Sequence, residues 1–186
     1  MTELLYQTDS YLKAFDAVVT AVDEEKHGVL LDRTAFYPGG GGQPNDAGEL
    51  HADGAVYRIP KVERGNVHVI AGDLPAVGTP VHGILDWERR YKLMRTHTTM
   101  HILCGVVWRD YGASVTGGNM EPLEGRMDFE FERLQKELVA EIEAKINAEI
   151  DAARDLRVKI LPRAEAFAIP DLIRTKINLL PEGIAE

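Results

Sequence analysis

Two histidines, His97 and His101, stand four residues apart in the segment RTHTTMHIL. On a helix, residues i and i+4 lie one above the other, so two such imidazoles can point at one metal ion. Imidazole nitrogen is a good zinc ligand, but a catalytic zinc site usually has three protein ligands plus water. The helical zinc-protease pattern needs a glutamate directly after the first histidine as general base; Thr98 stands there instead, which argues against that chemistry. With six histidines in the chain, a chance pair at this spacing is ordinary. The spacing alone therefore leaves a metal site and plain core or surface histidines both open. His27, His51, His68, His82 and Cys104 are the remaining candidate ligands. Cys104 follows His101 by three residues, in an apolar run that suits a buried thiol.

A second signal is FYPGGGGQPND, in which Gly39 to Gly42 strip the backbone of side chains just before Gln43. Such a loop permits close approach of another group, or serves as a surface turn. A phosphate-binding loop would carry Lys and Ser or Thr directly after the glycines, and Gln43, Pro44 and Asn45 do not supply them. A third signal is the basic run Arg89, Arg90, Lys92 and Arg95 just before the histidines, in a chain of net charge −9. That charge argues against broad, sequence-blind nucleic-acid binding, which depends on a basic surface releasing counterions. Any contact of this run with phosphates must be local, and a solvated helix face is the other reading of it.

These residues need elements to hold them. The segments FDAVVTAVD, GVLLDRTAFYP, GAVYRIPKVERGNVHVI and VHGILDW carry β-branched residues between turn-forming Gly, Asp, Asn and Pro, which predicts a small β-barrel over residues 12–86. From Asp86 the texture changes to a helix carrying both histidines and ending at Gly112, where a left-handed residue commonly terminates a helix. GRMDFEFE alternates as a strand, with Met127, Phe129 and Phe131 on one face. Leu134, Leu138, Ile142, Ile146 and Ile150, spaced four apart, predict a long amphipathic helix. RVKIL and TKINLLP read as further strands, with a turn or short helix at PRAEAF between them. The expected class is α+β, with a barrel domain over residues 1–86 and a two-layer α/β domain over residues 87–186.

The chain has 186 residues, 45% hydrophobic, enough for a real core without staples. No apolar run approaches the roughly 18 residues of a membrane span, and the N-terminus lacks a basic stretch followed by an apolar segment. The expected setting is the cytoplasm, without membrane insertion. One cysteine excludes an internal disulfide.

Taken in order, FYPGGGGQPNDAGEL, DWERRYKLMRTHTTMHIL and VTGGNMEPLEGRMDFEFE resemble the free-standing alanyl-tRNA editing proteins and the matching editing domain of alanyl-tRNA synthetases. The likeness covers roughly residues 12–186. It implies a glycine-motif barrel followed by a zinc-bearing α/β domain, and hydrolysis of the ester joining a wrong amino acid, serine or glycine, to alanine tRNA. In that family the pair matching His97 and His101 binds zinc and is catalytic, and a later Cys-x-x-x-His motif completes the site. This sequence has no such motif and stops at PEGIAE, so a chain truncated at its C-terminus is the expectation. The resemblance further implies substrate contacts from Thr116, Asn119 and Gln43, and contacts from Arg89, Arg90, Lys92 and Arg95 to the phosphates of the tRNA acceptor end. Two other classes stay open: a metal-free RNA-binding accessory module, and an amide or ester hydrolase of a small metabolite.

Overall fold

In β2 (Ala14–Asp23) Phe15, Ala17 and Val19 alternate inward while Asp16, Val18 and Thr20 face out, the period-2 pattern of a strand with one buried face. β8 (Pro80–Leu85) follows the same rule, whereas β3 (Gly28–Leu31) and β7 (Val67–Ala71) each bury consecutive residues and β6 (Ala55–Glu63) is put out of period by an irregularity between Arg58 and Lys61. With β5 (Gly48–Ala52) these strands close a six-stranded barrel in the order β2-β3-β7-β6-β5-β8. A short parallel pair, β1 (Glu3–Leu4) with β4 (Arg33–Thr34), lies outside that ring. Phe15, Leu31, Phe36, Leu50, Ile59 and Val62 form much of the core. The computed structural model describes residues 2–131, 136–170, 172 and 174.

Sequence reasoning missed β5. Its segment GELHA has no β-branched residue, so propensity is silent there. Tertiary pairing decides instead: β5 bonds β6 on one side and β8 on the other. Gly48 is required where β5 meets β8, because an added Cβ would stand 2.2 Å from the Ile84 carbonyl oxygen. The β5–β6 hairpin turns on Asp53 and Gly54, with φ of 50° and 78°, the left-handed pair that matches a two-residue hairpin loop to strand twist.

One polar side chain is sealed in the barrel. His68 is fully buried, with its Nε2 2.8 Å from the Thr34 hydroxyl and its Nδ1 3.2 Å from the Val29 carbonyl. The Val29 carbonyl can only accept, so Nδ1–H of the neutral ring donates to it and Nε2 accepts from the Thr34 hydroxyl, whose oxygen in turn accepts the Phe36 N–H. Burial pushes the imidazole down to about 4. The unfolded chain takes up this proton near pH 6.5 and the folded chain only near 4, so stability is lost as pH falls through that window. The whole effect is on the order of 3 kcal/mol. Urea midpoints at pH 7 and 4.5 should drop more for the wild type than for His68→Leu; equal drops would contradict this account.

The chain divides into two compact units, Met1–Arg95 with Met120–Glu124, and Thr96–Asn119 with Gly125–Glu186. The helix α1 (Trp87–Tyr111) starts in the first and continues in the second, ending where Gly112, at φ 64°, donates its N–H to the Trp108 carbonyl. The hairpin β9 (Val115–Glu121) and β10 (Glu124–Phe129), whose tip Met120–Glu124 is counted with the first unit, is followed in the second by α2 (Lys136–Asp151) and the short α3 (Arg163–Ala168). Leu138, Ile142 and Ile146 of α2 pack with Val107, Ala113 and Phe129, whereas Ile150 is exposed and Leu134 lies outside the described residues. Arg109 bonds Glu149 at 2.6 Å and Lys145 bonds Asp110 at 3.1 Å, joining α1 to α2. The expected strand RVKIL is not one: residues 157–161 carry no regular structure, and alternation without a partner strand cannot satisfy backbone groups. PRAEAF forms α3, and TKINLLP lies outside the described residues.

Candidate functional site

Position along α1 sorts its side chains. Thr96 and Met100 pack on the β9–β10 hairpin, where glycines make room: an added Cβ at Gly125 would stand 3.0 Å from Met100 Sδ and 3.3 Å from Thr96 Cγ2. His97 and His101 each follow by one residue, about 100° around the helix. Their Nε2 atoms are 3.0 Å apart and their rings 4.7 Å between centroids. His97 is half-buried and His101 exposed.

Both imidazoles are held below the ordinary histidine value. For His97 the cause is burial and then the neighbouring His101; for His101 it is burial and then the charge of Arg174. Below that value the rings are neutral at pH 7, so their nitrogen lone pairs can accept a proton or a metal ion. Two Nε2 atoms this close can be reached by one ion at roughly 2.0–2.1 Å from each. The pair therefore fits half of a tetrahedral set. No cluster of three or more candidate ligands exists among the described residues.

Arg174 is a residue that sequence reasoning did not single out. Its Nη1 would stand 3.1 Å from a Cβ added at Gly105, and its charge is felt at His101 and Cys104. Val115 N–H donates to its carbonyl at 3.1 Å, which holds the backbone against the start of β9. Nothing in the sequence could have flagged it, since it comes from a distant segment with no periodicity.

The other candidate ligands are committed within the barrel unit. His27 contacts the Gly72 carbonyl at 2.7 Å, His51 contacts Glu49 at 3.0 Å, and His82 contacts Asp16 at 2.7 Å; His68 is the buried group already described. Cys104 is half-buried, and burial pushes its thiol up.

The glycine loop is a locked turn. Gly39, Gly40, Gly41 and Gly42 all have positive φ, a region any side chain would strain, and Gly40 and Gln43 exchange two backbone hydrogen bonds of 3.0 Å. The Gly42 carbonyl accepts the Met120 N–H at 3.0 Å. The Gln43 side-chain amide has no hydrogen-bond partner among the described residues. Thr116 is half-buried and Asn119 exposed, both on β9.

The four basic residues separate. Arg90, expected on phosphates, is 6% exposed and its guanidinium is spent inside the protein. It forms an ion pair through both Asp46 oxygens and donates to the carbonyls of Ser10 at 3.1 Å and Ala35 at 2.7 Å. The Tyr37 N–H donates to the same carboxylate at 2.7 Å, so this clasp also anchors the glycine loop. Its burial corrects the sequence expectation. Arg89 donates to the Asn45 carbonyl at 3.2 Å, Lys92 pairs with Glu88 at 2.5 Å one turn away, and Arg95 is exposed.

Comparison with known proteins adds a second kind of observation. The family model for class II (A) tRNA synthetases matches residues 6–89. The alanyl-tRNA editing protein AlaX-M of Saccharolobus solfataricus is 38% identical over 180 residues, covering 94% of this chain and 75% of the relative. The protein of the same name from Methanosarcina mazei is 40% identical over 197 residues, covering 100% of this chain and 76% of the relative. The alanine–tRNA ligase of Pyrobaculum aerophilum is 40% identical over 173 residues, which are 90% of this chain and 19% of the ligase.

Proposed function

Because the chain belongs to the alanyl-tRNA editing protein family, we propose that it removes mischarged serine or glycine from alanine tRNA by hydrolysing the aminoacyl ester. The observation that carries this reading is the His97–His101 pair, with Nε2 atoms 3.0 Å apart on a helix that packs against a glycine-bearing hairpin. In the reaction, water adds across the ester: its hydroxyl joins the acyl carbon and its other proton goes to the ribose oxygen. Free serine and intact tRNA leave.

His97 and His101 would hold zinc as two of its ligands. When bound, zinc supplies Lewis-acid polarisation of the carbonyl or a water of lowered pKa. The chain's own contribution is placement. Thr116 offers a hydroxyl to the serine side chain, and Asn119 and Gln43 offer amides to the substrate. Arg89, Lys92 and Arg95, which are not buried, are the cations proposed for the phosphates of the acceptor end, whereas Arg90 is sealed against Asp46. No helix among the described residues is long and apolar enough to cross a membrane. The cytoplasm, where charged tRNA is used, is the setting this function requires.

Editing against serine is chemically demanding, because a hydrophobic pocket rejects an added hydroxyl only weakly, whereas a site that hydrogen-bonds a hydroxyl strongly prefers substrates that carry one. Thr116→Val should therefore slow serine release by on the order of ten-fold or more and leave glycine release nearly unchanged. Equal slowing of both would remove Thr116 from serine recognition. The metal is tested on the same assay: a chelator should abolish release and added zinc should restore it, while full activity in chelator would overturn the zinc assignment.

A further inference from the structure

Three aromatic rings on the barrel unit have no part in the site above. Tyr11, in the segment before β2, meets Trp87 at 5.9 Å between centroids, and Trp87 stacks on Tyr91, one helical turn later, at 5.8 Å and 28°. Tyr11 is 64% exposed and Tyr91 44%. Lys13 Nζ sits 4.8 Å from the Trp87 ring centroid and is in no ion pair among the described residues.

The shelf is fixed from beneath. The buried Arg90, one turn after Asp86, donates to the Ser10 carbonyl, and the Leu85 N–H donates to the Lys13 carbonyl at 2.9 Å. The segment carrying Tyr11 and Lys13 is thus tied on both sides to the start of α1, which carries Trp87 and Tyr91. Rings held rigidly at a surface bind with little further ordering cost.

We infer that Tyr11, Trp87, Tyr91 and Lys13 form a stacking shelf for the unpaired nucleotides of an RNA strand. Tyr11 and Tyr91, the exposed rings on either side of the half-buried Trp87, take the flat face of any base, and such stacking tolerates sequence. A duplex hides those faces. Lys13 supplies the complementary charge for a phosphodiester, a local cation in a chain of net charge −9. A hydrophobic protein partner fits less well, because the tyrosine hydroxyls and the ammonium give the shelf polar edges. The inference rests on the tRNA reading for the identity of the RNA, and not for the geometry of the shelf.

The chain has two tryptophans, so a Trp108→Phe background leaves Trp87 as the reporter. Oligocytidylate should quench its fluorescence with an affinity that falls as salt rises, and a blunt RNA duplex should not. Tyr11→Ala with Tyr91→Ala should weaken binding by on the order of ten-fold or more. Lys13→Gln should lower the salt slope by about one. Absence of quenching, quenching unchanged in the double variant, equal quenching by duplex, or self-association that buries Trp87 in sedimentation would each overturn the inference. Serine release from mischarged tRNA by the same chains separates the two proposals. Release without oligocytidylate binding sinks the shelf and keeps editing; binding without release keeps the shelf and sinks editing.

Discussion

Replacing His97 with alanine should cut serine release from mischarged alanine tRNA by at least on the order of 100-fold and leave the fold intact. Groups that merely orient a metal ligand commonly cost 10–100-fold when removed, so loss of the ligand itself should cost no less. The same change should also prevent zinc binding at the proposed site, because the neighbouring His101 Nε2, 3.0 Å away, then has no partner imidazole. Stability should barely move. His97 is only half-buried and its side chain meets His101, so truncation opens little core. Metal content, release rate and melting temperature measured on one preparation check all three statements. A variant that keeps near-normal release would show that the pair is an ordinary surface feature of α1. A variant that loses release only because it unfolds would show that the histidines hold the second unit together.

The second large effect concerns stability. Asp46→Ala should destabilise the protein by about 3–5 kcal/mol, because it leaves the Arg90 guanidinium buried without its counter-charge. For a chain of this size that is about 10 °C in melting temperature. The Tyr37 N–H loses its acceptor in the same step, which loosens the entry to the glycine loop. Replacing both partners at once, Asp46→Leu with Arg90→Met, should cost much less than Asp46→Ala, since no lone charge then remains inside. If the single and double variants melt together, the buried pair contributes nothing specific. The two effects are separable: the Asp46 change acts on folding and the His97 change on chemistry.

The barrel was legible wherever strands announced themselves by alternation, as in FDAVVTAVD and VHGILDW, and the end of α1 was legible in Gly112. GELHA was not, because β5 is specified by its two neighbours and by the missing Cβ of Gly48, and neither is a local signal. RVKIL shows the reverse error, in which a strand-like alternation finds no strand beside it among the described residues. At the site, the i, i+4 spacing of His97 and His101 foretold their proximity, because helix geometry alone brings those rings together. The basic run was less readable. Arg89, Arg90, Lys92 and Arg95 look alike in sequence, yet one is buried against Asp46, forty-four residues earlier, and only the tertiary structure distinguishes it. Arg174 was invisible for the same reason. Local patterns predicted local geometry, and partners distant in sequence decided which charges stay at the surface.

The central claim is that this chain hydrolyses the ester of a mischarged alanine tRNA, and the most direct measurement is serine release from Ser-tRNA(Ala) beside alanine release from Ala-tRNA(Ala), both with zinc supplied. The account predicts rapid serine release above the uncatalysed rate and little or no alanine release. Serine and alanine released at the same background rate would contradict it.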